Sequence, residues 1–230
     1  MALLPLHLAT GQLEVQPASP PWSLAATAGR LVEVTGAEDT AALTMTVQLV
    51  LDAQQQGEQV AWVAAAGSLP FPPDLLENGL DLNALVVVRA PDVRAGAWAA
   101  DGLIRSGAFG LVVVDAEGGD PRLPIPLLAR LASLAQRHHT ALVFLTSSPH
   151  RSTAHALWSD GQSRHPRSRR TPVPSDGTSP LGSLISLRVR ARRQRVAADR
   201  FRCWLEVLKD KRRGPTWGID EVCRGAPGMR

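Results

Sequence analysis

"GRLVEVTGAEDTAALTMTVQLVLDAQQQG", residues 29 to 57, carries the reading of the fold. Leu31–Thr35 is a short apolar run rich in β-branched residues, as expected of a strand covered on both faces. Gly36 breaks the run, and Asp39 or Thr40 offers an N-cap for a helix. From Thr40 to Gln56 the apolar residues Ala42, Met45, Leu49 and Ala53 recur on one helical face, and Gly57 marks the end. Strand, glycine turn and helix, in that order, form the shape of a nucleotide-binding unit. The turn itself is incomplete. A phosphate loop ends in Gly-Lys-Ser/Thr, and here those places read Ala41, Ala42 and Leu43.

The same alternation continues outward. Val60–Ala64, Leu85–Arg89, Gly110–Asp115 and Ala141–Thr146 read as further buried strands, with helices predicted over Val93–Ser106 and Ile125–His139. The last helix has Pro124 and Pro126 at its start and His138-His139 at its end, where cations suit the helix dipole. This pattern predicts an α/β fold with a mainly parallel, doubly wound sheet joined by right-handed crossovers. Residues 150–180, rich in Ser, Pro, Gly and Arg, read as a basic loop. Two alternating runs come next, 183–194 and 202–211, and predict an antiparallel hairpin at the sheet edge. The first places Arg188, Arg190 and Arg192 on one face and Ile185, Leu187, Val189 and Ala191 on the other. The organisation expected is a covering segment over 1–28, the α/β core over 29–149, the loop, completing edge strands over 181–215, and a tail over 216–230.

Charge divides the chain. Residues 1–150 hold 7 Lys/Arg against 14 Asp/Glu, whereas residues 151–230 hold 18 against 7. The basic third suggests a polyanion or an acidic protein surface as partner, or a solvated tail that keeps the protein soluble. No basic region precedes the short apolar start, and no stretch approaches the ~18 apolar residues of a membrane span. A cytoplasmic location and no membrane contact are the expectation. Cys203 and Cys223 match no metal spacing, and the histidines have no ligand companions at metal spacing, so no metal is expected. Ser147, Ser148, His150 and His155 lack the strained elbow of a serine hydrolase.

On "GRLVEVTGAEDTAALTMTVQLVLDAQQQG", "IRSGAFGLVVVDA" (104–116), "ALVFLTS", "SLRVRARR" and "CWLEVLKDKRRGP" the chain resembles the RecA recombinase core, over roughly residues 8–215. The eroded phosphate loop, the short chain and the ending "LEVLKDKRRGPT" (205–216) are similar to ImuA, a RecA-like accessory of bacterial damage-induced mutagenesis. The resemblance implies a P-loop NTPase-like core without its chemistry. The glutamate that activates water in RecA-like ATPases falls in Ala64-Ala65-Ala66, and the γ-phosphate-sensing glutamine in Thr146-Ser147-Ser148. Only Asp115 remains, in the place of the magnesium-side acid. No lysine or arginine lies in residues 31–88, and Glu38 and Asp39 add negative charge where triphosphate would sit. No cofactor and no catalytic residue is expected.

The partners implied are RecA, an ImuB-like inactive polymerase and, through them, an error-prone C-family polymerase, with DNA contact possible. Other readings are a DNA-dependent ATPase of the RecA family and a cell-division inhibitor of the SulA type. Candidate DNA- or partner-binding residues are Arg164, Arg167, Arg169 and Arg170 in the loop, and Arg188, Arg190, Arg192 and Arg193 on the first late strand. Lys209, Lys211, Arg212, Arg213 and Trp217 lie at and beyond the end of the second. Trp22, Trp62 and Trp98 are expected in the core, and Trp204 beneath the hairpin.

Overall fold

The computed structural model of the chain describes residues 20–36, 40–65, 70, 72–147, 179–197 and 200–224. Ser23 caps the short α1 (Leu24–Thr27), its hydroxyl accepting from the Ala26 N–H. β1 (Leu31–Gly36), β2 (Val60–Ala65) and β4 (Leu111–Asp115) are buried at every residue, as their Val, Leu and Ala content requires of strands covered on both sides. β5 (Ala141–Ser147) is buried up to its last residue. α2 (Ala42–Gln55), α4 (Val93–Arg105) and α5 (Ile125–His138) fall within a residue or two of the sequence expectation. α5 ends at His139, whose φ of 54° makes it the left-handed C-cap.

α3 (Pro72–Glu77) and a 3₁₀ turn over Leu82–Ala84 lead into β3 (Leu85–Ala90). The C-terminal part contributes β6 (Leu187–Ala197), β7 (Arg200–Asp210) and β8 (Gly218–Arg224). The eight strands among the described residues form one sheet in the order β3-β2-β4-β5-β1-β6-β7-β8. The first six in that order run parallel, and β7 and β8 are antiparallel to their neighbours. The α/β expectation and the antiparallel hairpin both hold. β8 corrects the tail assigned to 216–230: Ile219 and Cys223 pack against the core under α2, so this short polar strand has an apolar side to bury.

The sheet separates two cores. One packs Trp22, Met45 and Leu49 against Val34, Trp62 and Leu205, under α1 and α2. The other packs Ile104, Leu128 and Leu131 against Leu142, Val114 and Phe144, under α4 and α5. Burying each large apolar side chain contributes about 1.5–3 kcal/mol, which makes the sheet the stabilising centre. Trp98 departs from expectation. It is 52 % exposed on α4, because small residues (Gly96, Ala97, Ala100) form that helix's buried side and leave the indole outside. Among the described residues no helix is long and apolar enough to cross a membrane.

Two buried ion pairs join the C-terminal strands to β1. Arg30, just before β1, meets Asp210 at the end of β7 at 2.5 Å, with both side chains enclosed. Arg30 also donates to the Ser186 hydroxyl at 2.9 Å and to the Ser186 carbonyl at 3.0 Å. Within β1, Glu33 lies opposite Arg188 of β6, with Oε2 3.2 Å from the guanidinium Nε.

Candidate functional site

At the C-terminal end of β1 the described residues of the turn into α2 pack closely on one another. A Cβ added at Gly36 would stand 1.8 Å from Thr40 Oγ1, so the glycine is needed to admit that side chain. Thr40 Oγ1 donates to the Ala191 carbonyl of β6 at 3.1 Å and accepts from the Ala42 N–H at 3.0 Å. One of the donors that a helix N-terminus would turn towards an anion is therefore taken. Ala41 and Ala42 are fully buried, and Leu43 is 40 % exposed. Glu38 and Asp39 lie outside the described residues. Exchanging Gly36 for Ala should destabilise the fold by roughly 1–3 kcal/mol, since overpacking must expel Thr40. Urea denaturation reads this, and an unchanged midpoint would mean Thr40 is not held there.

Of the other positions compared with an ATPase, Ala66 and Ser148 lie outside the described residues, while Ala64, Ala65, Asp115 and Thr146 are packed or hydrogen-bonded within the fold. Ala64 and Ala65 are buried, and a Cβ at Gly96 of α4 would stand 3.0 Å from the Ala65 methyl. Asp115 is 3 % exposed and accepts the Glu117 N–H at 3.1 Å, closing the turn after β4. Burial, and then the Asp115 charge, push the Glu117 carboxyl above its usual range. Thr146 donates to Glu33 Oε1 at 3.1 Å, and the Ser179 hydroxyl donates to Oε2 of the same carboxylate. Sequence reasoning missed Glu33. A lone glutamate inside an otherwise apolar strand was the available sign, since a buried carboxylate needs partners.

The arginines divide into three groups. Arg188 corrects the expected open arginine face: it is 7 % exposed, held beneath the sheet surface by Glu33. Arg190 and Arg192 remain on that face, 3.6 and 3.5 Å from Glu206. β1 pairs with β6 only from Leu187 to Arg190. Beyond that point β6 and β7 continue as a ribbon bearing Arg192, Arg193, Arg195, Arg200 and Arg202. Arg193 lies over the Phe201 ring at 5.2 Å from its centroid, and Arg202 pairs with Asp220 of β8. Trp204 corrects the buried position expected of it. It faces away from α2, across from Arg192 and Asp220 in the strand register, and is only partly covered.

The third group lies elsewhere. Lys211, Arg212 and Arg213 sit past the far end of β7, roughly 33 Å from Arg200 at about 3.3 Å per residue. The two basic clusters are not one surface. Lys209 donates to the Ser183 carbonyl at 2.9 Å, and burial lowers its pKa. A register shift beside Arg188 moves Lys209 off the face of Cys203, Leu205 and Val207, where simple alternation placed it. Trp217 donates its indole N–H to Asp210 at 2.9 Å and packs on the core. Arg164, Arg167, Arg169 and Arg170 lie outside the described residues.

The two edges of the sheet differ. β8 presents Asp220 and Glu221, charges that discourage pairing with another strand. β3 has the sequence LVVVRA, with Val86 and Val87 41 % and 48 % exposed and Trp98 on the helix behind it.

The RecA N-terminal domain family matches residues 8–121. This stretch, just under half of the chain, is similar to the N-terminal domain of RecA. RecA of Streptomyces coelicolor is 34 % identical over 125 residues, covering 49 % of this chain and 33 % of that protein. RecA of Nocardioides is 36 % identical over 125 residues, and RecA of Haemophilus ducreyi 30 % over 129. The match thus spans about a third of the length of these RecA proteins, 33 to 35 %. The crystal structure of the RadB recombinase has the same fold, with a TM-score of 0.57 at 17 % identity. That likeness covers 84 % of this chain and 87 % of that one.

Proposed function

We propose that this RecA-fold chain is a non-catalytic adaptor in damage-induced (SOS) translesion synthesis and mutagenesis. It binds RecA, or RecA-coated single-stranded DNA, together with an ImuB-like inactive polymerase. Through them it serves an error-prone C-family polymerase. The observation that carries the reading is the packed start of α2, where Thr40 takes the Ala42 N–H and Ala41 and Ala42 are fully buried. No lysine or arginine in residues 31–88 compensates. Magnesium and triphosphate there would meet a helix start with one N–H already engaged and no phosphate-loop lysine, so neither binding nor hydrolysis is expected.

With that chemistry gone, the function rests on surfaces. The arginine ribbon of β6 and β7 suits phosphates, because its ion pairs are half exposed and worth only ~0–1 kcal/mol each, so they exchange readily. The apolar β3 edge suits an added strand, and RecA, whose protomers link through an N-terminal strand, carries one to offer. Docking at this edge would limit filament growth.

Two measurements test the reading. Calorimetry with Mg-ATP, with and without single-stranded DNA, should give no binding heat; tight magnesium-dependent binding would favour a DNA-dependent ATPase instead. Pull-down should recover RecA and the ImuB-like protein but not unrelated proteins. Recovery of neither, with controls behaving, overturns the adaptor role.

A further inference from the structure

The two cysteines, unused by the adaptor reading, occupy related places on neighbouring strands. Phe201 pairs with Cys223 and Cys203 with Glu221 across β7 and β8. Cys203 and Cys223 are therefore diagonal neighbours on the sheet face that α2 covers, near enough for each thiol to shift the other's pKa. Their access to solvent is unequal. Cys203 is 1 % exposed, whereas Cys223 is half-buried near the rim, where the Gln48 side-chain amide donates to its sulfur at 3.8 Å.

We propose that Cys203 and Cys223 form a reversible, oxidation-dependent clamp between β7 and β8, with Cys223 the attacking and Cys203 the resolving thiol. The oxidant is a small-molecule disulfide. The Cys223 thiolate attacks one of its sulfurs, the S–S bond breaks, and the first small thiolate leaves and takes up a proton. The resulting mixed disulfide places an activated sulfur beside Cys203. Cys203 gives up its proton and attacks Cys223 Sγ, the second small thiol is expelled, and the protein disulfide remains. Two protein thiols are oxidised and one small disulfide is reduced to two thiols. The order is fixed by access: a buried Cys203 meets only Cys223.

Burial, and then contact with Cys203, push the Cys223 thiol up to about 12, so little thiolate exists at neutral pH. The first step should accelerate about tenfold per pH unit between pH 7 and 9 while the fold persists.

The test treats the full chain with oxidised glutathione and maps products by proteolysis and mass spectrometry. The wild-type protein should yield a Cys203–Cys223 linkage that a reductant reverses. Cys203→Ser should stop at a glutathione adduct on Cys223, and Cys223→Ser should react at least tenfold more slowly at Cys203. Wild-type protein that accumulates only adducts, or equal reactivity of the two variants, would overturn the proposal. The wild-type map alone decides it if a variant fails to fold.

Discussion

Replacing Asp210 by Ala should cost roughly 3–5 kcal/mol of folding stability, the range for removing one partner of a buried ion pair. The loss comes mainly from what is left behind. Arg30 keeps its charge in an enclosed site, its side chain 2 % exposed, with only Ser186 and the Ala26 carbonyl to accept from it. The Trp217 indole and the Arg212 N–H lose their acceptor as well. Urea denaturation monitored by circular dichroism measures the change, and a loss below about 1 kcal/mol would show that Arg30 escapes to water. Replacing both partners together, Arg30→Met with Asp210→Leu, should recover most of the loss, because no charge remains to be buried.

The same pair gives a pH signature. Burial pushes the Asp210 carboxyl up, but hydrogen bonds from the Arg212 N–H, Trp217, Arg30 and the Arg213 N–H together outweigh it and hold the carboxyl below its usual range. A lowered folded pKa means that the unfolded chain binds the proton first. The contribution is complete above the unfolded value, about pH 4, and is lost as pH falls through the folded one. The stability difference between wild type and Asp210→Ala should therefore shrink in acid below about pH 4.

Replacing Arg192, Arg195, Arg200 and Arg202 together by Ala should weaken binding to single-stranded DNA, or to RecA-coated DNA, by about 100-fold at low salt. The salt dependence should flatten too, by about 0.7 in slope for each phosphate of a single strand that is no longer neutralised. Folding stability should change little, because the Arg192–Glu206 and Arg202–Asp220 pairs are half exposed. The control is Lys211, Arg212 and Arg213 replaced together, which lie at the other end of β7 and should leave binding almost unchanged. Fluorescence anisotropy with a labelled oligonucleotide reads both. Equal losses in the two variants would remove the ribbon from the interface and leave only net charge.

Much of this architecture was legible in the sequence, because strands buried on both faces and one-sided helices leave strong periodic marks. The runs of β1, β2, β4 and β5 needed only their apolar continuity. β8 escaped because an edge strand such as GIDEVCR buries little and carries mixed charge, so its pattern is that of a loop. Arg188 was misread for a different reason. Alternation placed it beside Arg190 and Arg192 correctly, but the partner that buries it, Glu33, lies far away in the chain and meets it only through the register of β1 with β6. The packed start of α2 was half legible. The missing lysine was plain in the sequence, whereas the Thr40 bond to Ala191 depends on where β6 passes.

That bond between Thr40 and Ala191 has a temporal consequence. In an ATPase, a gap between loop and neighbouring strand lets the fuel come and go, and each turnover resets the machine. On the adaptor reading the Thr40 bond closes that gap, and the molecule has no clock. Its release from a partner must come from dilution, competition or destruction, never from a spent nucleotide.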